Sequence, residues 1–475
     1  MKYEAVIGLE IHIQLNSATK MFCDCANTPG DDPNTNVCPV CLWLPGALPV
    51  LSREVLEKAT LACLSLNCEV QSESAFDQKV YYYPDLPKGF QLSQAHKPLA
   101  RKGWVEIQDE QGQPKKFRLH HVHMEEDVAK LVHETEGRVP ISLVDFNRAG
   151  TPLIEVVTEP DFRNPHDAME FLKAIRNQIR YTGCAECSME SGTMRCDANI
   201  SIRPEGSDQL NTKVEVKNMN SIHHVGDAIV YEIKRQIDAV NNNEHIVLHT
   251  RLWDPEKRVT TAMRAKFEGP CIPDPSVPLI VLADSWLEKM KSLLPEMPAQ
   301  KVKRFVRDYS LTHDEAVLMS SERRLSEFFE SVVTLGAPDR MTAGWIATQL
   351  LPALKAHGQT LTDTIVTPER FASLIQLLEK GEINSNSAKS VLEKLFEMNG
   401  TPKEIVEQFG FRQVSDAADL AKIVDKILSD NESAVNNYKN GNKKSMGFLV
   451  GQAMKVSQGK ANPKLVQEMI KELLV

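Results

Sequence analysis

The stretch Val6-Ile-Gly-Leu-Glu-Ile-His-Ile-Gln-Leu15 alternates strictly. Ile7, Leu9, Ile11, Ile13 and Leu15 are apolar, and Gly8, Glu10, His12 and Gln14 stand between them. A strand sends successive side chains to opposite faces, so the apolar set marks a core side and Glu10 and His12 share the other. The same period recurs four times. His121, His123, Glu125 and Asp127 alternate with Val122, Met124 and Val128, with Glu126 breaking the apolar side. Leu153–Glu159 puts Glu155 and Glu159 on one face. Arg195, Asp197, Asn199, Ser201 and Arg203 alternate with Cys196, Ala198, Ile200 and Ile202, and Lys213, Glu215 and Lys217 with Val214 and Val216. Polar faces built from Glu, His, Asp and Arg, rather than Thr, Ser and Lys, suggest a sheet surface that does chemistry. Carboxylates on such a surface suit Mg²⁺, which prefers hard oxygen ligands and usually bridges to substrate phosphates. Arg and Lys among them would offset the charge of a transferring phosphoryl group. Neither G-x-x-x-x-G-K-[ST] nor G-x-G-x-x-G occurs. Any nucleotide is therefore held by neither a P-loop nor a Rossmann turn.

The strands occupy the first part of a chain of 475 residues, long enough for about three domains. Leu294-Pro-Glu-Met-Pro298 and Asn399-Gly-Thr-Pro402 are the two breaks, which predicts domains at 1–294, 295–402 and 403–475. The expected fold class is α+β: an antiparallel-sheet domain, an all-α helical domain and a small α-helical tail. Within the first domain, Asn164-Pro165 opens a helix whose stripe is Ala168, Leu172, Ile175 and Ile179, and Gly183 stops it. A second helix carries Ile229, Ile233, Ile237 and Val240. In the tail, Leu420, Ile423, Val424, Ile427 and Leu428, then Leu465, Val466, Met469 and Leu473, fall at helical spacing. A composition 42% hydrophobic and 25% charged excludes a disordered, coiled-coil or collagenous chain. Glu4, Glu10 and His12 interrupt the first apolar stretch, which is unlike a signal or transit peptide. No run approaches the length of a membrane span. A cytoplasmic location is expected.

Ten cysteines are too sparse for a disulfide scaffold in a chain this long. Four of them form two close pairs, Cys23-x-Cys25 and Cys38-Pro-Val-Cys41, separated by twelve residues. Such a set predicts a closed tetrahedral Zn²⁺ site, which is structural because no ligand position stays open. Cys184-x-x-Cys187 lacks a second pair and is expected to be structural as thiols. The net charge is −9, yet from Lys439 onward seven Lys (439, 443, 444, 455, 460, 464 and 471) face only Glu468 and Glu472, a local balance of 7 − 2 = +5. A basic end on an acidic protein suits a polyanion.

Several longer motifs resemble the B subunits of the aspartyl/glutamyl-tRNA amidotransferases, the GatB family. They are Gly8-Leu-Glu-Ile-His12, Tyr83-Pro-Asp-Leu-Pro-Lys-Gly89, Glu125-Glu-Asp127, Asp145-Phe-Asn-Arg-Ala-Gly-Thr-Pro-Leu-Ile-Glu155, Met194-Arg-Cys-Asp-Ala-Asn199 and Lys217-Asn-Met-Asn-Ser221. Near the end come Gly447-Phe-Leu-Val-Gly-Gln452 and Gly459-Lys-Ala-Asn-Pro463. The resemblance runs the full length in one order. It implies a glutamine-synthetase-like cradle that uses Mg-ATP to phosphorylate the side-chain carboxylate of Glu-tRNA(Gln) or Asp-tRNA(Asn). Ammonia from a separate amidase A subunit then displaces phosphate, and a small C subunit holds the heterotrimer together. By match to the family, Mg²⁺ falls to Glu10, His12 and Glu155, with Glu125 or Glu126 as a further ligand and Asp197 alongside. A regular strand cannot present both glutamates on one face. Lys88, Arg148 and Arg195 are implied as phosphate or carboxylate contacts, and Lys443, Lys444, Lys455 and Lys460 as tRNA contacts. The chain departs from the family pattern at Ser191, where a Glu is usual, and at Glu268-Gly-Pro-Cys-Ile-Pro273, where Asp-Tyr-Arg-Tyr-Phe-Pro is usual.

Two other functions fit part of the pattern: a free-standing ATP-dependent amide ligase, or an RNA-binding assembly protein whose cradle has lost activity. The basic end and helical domains argue against the first, and the retained Glu10, His12, Glu155 and Asp197 against the second.

Overall fold

The computed structural model describes residues 2–263, 269–412, 417–439, 442–457, 461 and 463–474. All five alternating segments are strands: β1 (Tyr3–Gln14), β2 (Pro114–Glu126), β3 (Pro152–Thr158), β4 (Met194–Pro204) and β5 (Val214–Met219). They lie side by side in a ten-stranded sheet in the order β5-β4-β1-β3-β2, each antiparallel to its neighbours. Beyond β5 the strand His249–Asp254 runs parallel to it. A parallel neighbour needs a crossover, and the helix α2 (Ile222–Asn241) supplies it.

The core side of the sheet is the one its alternation marks. Ile7, Leu9, Ile11 and Ile13 of β1, Val122 and Met124 of β2, and Ile154 and Val156 of β3 share one buried cluster. The helices α1 (Pro165–Thr182) and α2 cover it, contributing Phe171, Leu172, Ile175, Ile179, Val225, Ala228 and Ile229. α1 begins and ends as its sequence demands. The Asn164 side chain accepts from the Asp167 amide at 2.8 Å, Pro165 takes the first helical position, and Gly183 closes the helix in the left-handed region at φ 78°.

Two local expectations are corrected. In α2 the buried line runs Val225, Ala228, Ile229, Glu232, Gln236 and Ala239, whereas Ile233, Ile237 and Val240 are only half-buried. Glu232 tolerates burial because Arg235 (2.6 Å), Thr260 (3.0 Å) and Gln236 (2.9 Å) all donate to it, while Gln236 also donates to the Ile200 carbonyl. A hydrophobicity pattern cannot see a polar stripe satisfied by partners elsewhere in the chain. In β3 the register shifts between Val157 and Thr158 and the strand ends there, so Glu159 does not continue the face of Glu155.

The described chain divides into two compact units, Met1–Met297 and Pro298–Val475, with the break inside the Leu294–Pro298 run. The second unit holds two apolar clusters, one from Phe305 to Val406 and one from Leu420 to Ile470. The helix Pro402–Phe409 joins the first of these through Ile405 and Val406, so residues 403–409 side with the helices before them rather than with the tail expected from 403. The Thr401-Pro402 signal is a helix start, a capping box with Glu404, and not a linker. Leu473 is exposed, and Ile470 takes the inward position beside Val466. No helix among the described residues is long and apolar enough to cross a membrane.

Candidate active site

On the polar side of the sheet the register decides which residues meet. His12 of β1 lies opposite Glu155 of β3 and, across the other edge, opposite Arg195 of β4. Glu155 in turn lies opposite His123 of β2. Glu10 is opposite Asp197. His12 Nε2 stands 3.3 Å from Glu125 Oε1 and 3.5 Å from Glu155 Oε2. One ligand atom each from His12, Glu125 and Glu155 falls within 4.8 Å of the others. Octahedral Mg²⁺ at ~2.1 Å from its ligands would place adjacent ligand atoms roughly 3.0 Å apart, so the trio fits a cation with modest tightening. A second group, Glu10, Asp197 and Glu215, meets the same spacing, but Lys217 already bridges Asp197 (2.6 Å) and Glu215 (2.9 Å). The first group therefore has the stronger claim on a cation.

The electrostatics reflect charge packed into little solvent. Burial works against protonation of His12, but Glu125 and Glu155 outweigh it and hold the imidazole up at about 9. His123 is likewise opposed by burial and lifted to about 10 by Glu155 and Glu125. Despite its burial, Glu155 is pushed well below the carboxylate range by these two histidines. Glu10 goes the other way: burial and the neighbouring Glu155 raise it, partly relieved by the Asn199 amide, which donates to its Oε1 at 2.8 Å.

Glu125 and Glu126 separate as the alternation requires. Glu126 turns to the opposite face, where its carboxylate binds the Lys88 ammonium and the Leu92 amide (2.9 Å), with both charged side chains buried. Glu126 and Lys88 are thus not brought to the cluster. The Lys88 ammonium lies 5.6 Å from the Trp43 and Phe90 ring centres instead. Arg195 and Arg148 flank Asp127 at the edge of the polar face. Arg195 Nη2 donates to Asp127 Oδ2 at 2.8 Å, and Arg148 Nε lies 3.7 Å from the same oxygen while its guanidinium bonds the Val128 and Ala129 carbonyls. Asp127, His123, Glu215 and Lys217 were all legible as members of the alternating face, but nothing in the sequence alone marked them as partners of the ligand set.

The four N-terminal cysteines converge. All four sulfurs lie within 4.8 Å of one another, against roughly 3.8 Å between sulfurs in tetrahedral Zn²⁺ coordination at ~2.3 Å. Hydrogen bonding from Cys23 and the Cys38 amide, with the Lys20 ammonium nearby, holds the Cys41 thiol down at about 5. Lys20 is fully buried, 3.7 Å from Cys41 Sγ, and donates to the Asn36 and Phe146 carbonyls. A soft thiolate set with a buried cation beside it fits zinc. Lys443, Lys444 and Lys455 are exposed. Lys460 lies outside the described residues.

Known proteins match this chain from end to end. The family model described as the GatB/GatE catalytic domain matches residues 5–288, and the one described as the GatB domain matches residues 327–474. The chain belongs to the GatB family. It is 60% identical over 474 residues to a B subunit, numbered 1, of the aspartyl/glutamyl-tRNA(Asn/Gln) amidotransferase of Syntrophus aciditrophicus, covering 100% of this chain and 99% of that protein. The B subunits of the same amidotransferase from Carboxydothermus hydrogenoformans and Thermodesulfovibrio yellowstonii are 44% and 42% identical over 477 residues, each covering 100% of this chain and 99% and 100% of the relative. GatB membership spans both the sheet unit that carries the His12 cluster and the helical unit that follows it.

Proposed function

We propose that this chain is the kinase and transamidase subunit of a tRNA-dependent amidotransferase. It would activate the side-chain carboxylate of Glu-tRNA(Gln), Asp-tRNA(Asn) or both with ATP, and amidate it with ammonia from a glutaminase A subunit, a small C subunit completing the heterotrimer. The observation that carries this reading is the convergence of His12, Glu125 and Glu155 from three adjoining strands on the polar face of the sheet. A carboxylate is a poor electrophile. Its oxygen attacks the γ-phosphorus of ATP and ADP leaves; ammonia then attacks the acyl carbon and phosphate leaves. Catalysis of both steps is mainly positioning and charge stabilisation. Mg²⁺ held by His12, Glu125 and Glu155 would supply the positive charge that the phosphoryl group needs. Glu10 and Asp197 border that set, and Arg195 and Arg148, steered by Asp127, offer cations to a phosphate or to the substrate carboxylate.

The same reading assigns the sheet unit to a glutamine-synthetase-like cradle, the cysteine loop to structural Zn²⁺, and the helical and tail regions to the tRNA. Its test is acyl-phosphate formation with γ-labelled ATP and mischarged tRNA in the complex co-expressed with the A and C subunits. Glu155→Gln keeps the shape and removes a ligand charge. It should cost on the order of 10²-fold or more, while glutamine hydrolysis on the partner chain persists. Near-normal phosphorylation in this variant would mean that the face is only a solvated sheet surface.

A further inference from the structure

Glu125 and Glu155 sit on adjoining strands with their carboxylates side by side, and two like charges so placed repel each other unless something holds them. His123 stands where that something must be. It precedes Glu125 by two residues on β2, so both point to the same face, and it pairs in register with Glu155 on β3. Its ring is buried, with Nε2 3.1 Å from Glu155 Oε2 and 3.7 Å from Glu125 Oε2. His12 reaches Glu125 through the other oxygen, Oε1. The two histidines therefore approach the Glu125 carboxylate at different oxygens, His123 at ion-pair distance.

Three facts separate their roles. The compact ligand triangle contains His12, Glu125 and Glu155, and His123 is not part of it. A ring nitrogen that gives its proton to a carboxylate has no lone pair left for a metal, and His123 Nε2 lies nearer Glu155 (3.1 Å) than His12 Nε2 does (3.5 Å), its ring the more buried of the two. Its other nitrogen, Nδ1, is buried without a hydrogen-bond partner among the described residues. The ring is set instead by packing, since His121 stacks on it with centroids 5.2 Å apart and planes 20° from parallel.

We propose that His123 is a positioning residue. Its Nε2–H holds Glu155 and Glu125 from outside the ligand triangle, so that a divalent cation meets two carboxylates already turned toward it and takes its one imidazole from His12. Outer-shell donors of this kind typically account for 10- to 100-fold in metal affinity. The inference rests on the assignment of His12, Glu125 and Glu155 to a divalent cation.

The test uses the full-length chain and Mn²⁺ as the probe, with binding followed by electron paramagnetic resonance and coordinated nitrogens counted by spin-echo modulation. His123→Phe keeps a ring against His121 and removes the donor; His123→Gln keeps an N–H near the position of Nε2. His123→Phe should weaken Mn²⁺ binding about 10-fold or more, and His123→Gln should stay within about threefold of the unsubstituted chain. One coupled imidazole nitrogen is expected in the unsubstituted chain and in both variants. Unchanged affinity in His123→Phe, or a His123→Gln variant as weak as His123→Phe, would overturn the positioning role. Two coupled nitrogens in the unsubstituted chain, falling to one on substitution, would make His123 a ligand and overturn it too. Should His123→Phe lose its circular dichroism, the nitrogen count and His123→Gln still decide. Failure of the underlying site looks different: the unsubstituted chain would bind no Mn²⁺, or Glu155→Gln would bind it equally well.

Discussion

At the scale of single residues, the charges on the polar face set a pH dependence whose sign can be worked out. In the metal-free chain His12 and His123 are raised to about 9 and about 10 by Glu125 and Glu155. A raised histidine contributes stability that is complete below its unfolded value near 6.5 and is lost as pH climbs through the folded value. Glu155, depressed well below 4.5, contributes stability that is lost only in strong acid. The melting temperature of the metal-free chain should therefore fall between pH 7 and about 10, and Glu155→Gln should flatten that fall. An equally steep fall in Glu155→Gln would show that the histidines draw their protons from elsewhere. The cysteine loop gives a second test at this scale. Replacing Cys38 with Ser leaves three sulfurs and should lower zinc content and destabilise the loop, because structural zinc contributes its binding energy to folding. Less than about a tenth of an equivalent of zinc in the purified unsubstituted chain would remove the site.

At the scale of elements, the Glu125-Glu126 pair shows what period two can and cannot say. Strand geometry alone requires the two carboxylates to face opposite ways, and they do: Glu125 meets His12, while Glu126 meets Lys88. Which one faces the cluster was left open by the sequence, and the structure gives it to Glu125, which shares the parity of His121 and His123. What the sequence did not carry was the pairing order β5-β4-β1-β3-β2, which joins segments more than a hundred residues apart and sets His12 against both Glu155 and Arg195. The buried polar stripe of α2 was hidden for a related reason, because the Thr260 hydroxyl and the Ile200 carbonyl that satisfy it come from distant strands. Local signals did better. The Asn164-Pro165 start and the Gly183 stop of α1 lie where the sequence put them, as caps are settled within one turn. The strand's two faces also predict different failures. Glu125→Gln should weaken Mn²⁺ binding and, like Glu155→Gln, give up part of the histidine-linked stability at neutral pH. Glu126→Gln should leave Mn²⁺ binding nearly intact but strand the buried Lys88, at a cost on the order of 3 kcal/mol or more in chemical denaturation. Equal effects of both substitutions on Mn²⁺ would mean that β2 does not keep its alternation to its end.

At the scale of the whole molecule, an acidic protein must approach a polyanion, and the distribution of charge says where. The net charge of −9 repels nucleic acid at long range, yet Lys443, Lys444 and Lys455 stand exposed on helices packed around their own apolar cluster, Leu420 to Ile470. Among the described residues that cluster contains none before Leu420, and Ile405 and Val406 belong to the preceding one. Ending the chain at Arg412 should therefore remove the basic end without opening the neighbouring core. If those lysines neutralise tRNA phosphates, each phosphate left unneutralised lowers the slope of log affinity against log salt by roughly 0.7–0.9, so a change of two or three phosphates is measurable by filter binding over a salt series. ATP hydrolysis that needs neither ammonia nor tRNA should be nearly unchanged, because the His12 cluster lies wholly within residues 1–297. The combination matters: weakened tRNA binding with a shallower salt slope and intact basal hydrolysis separates an electrostatic grip from a folding defect, which would reduce both. An unchanged affinity and slope in the truncated chain would leave the lysines as a solvated helical surface and move the tRNA-binding surface to the helices between Pro298 and Phe409.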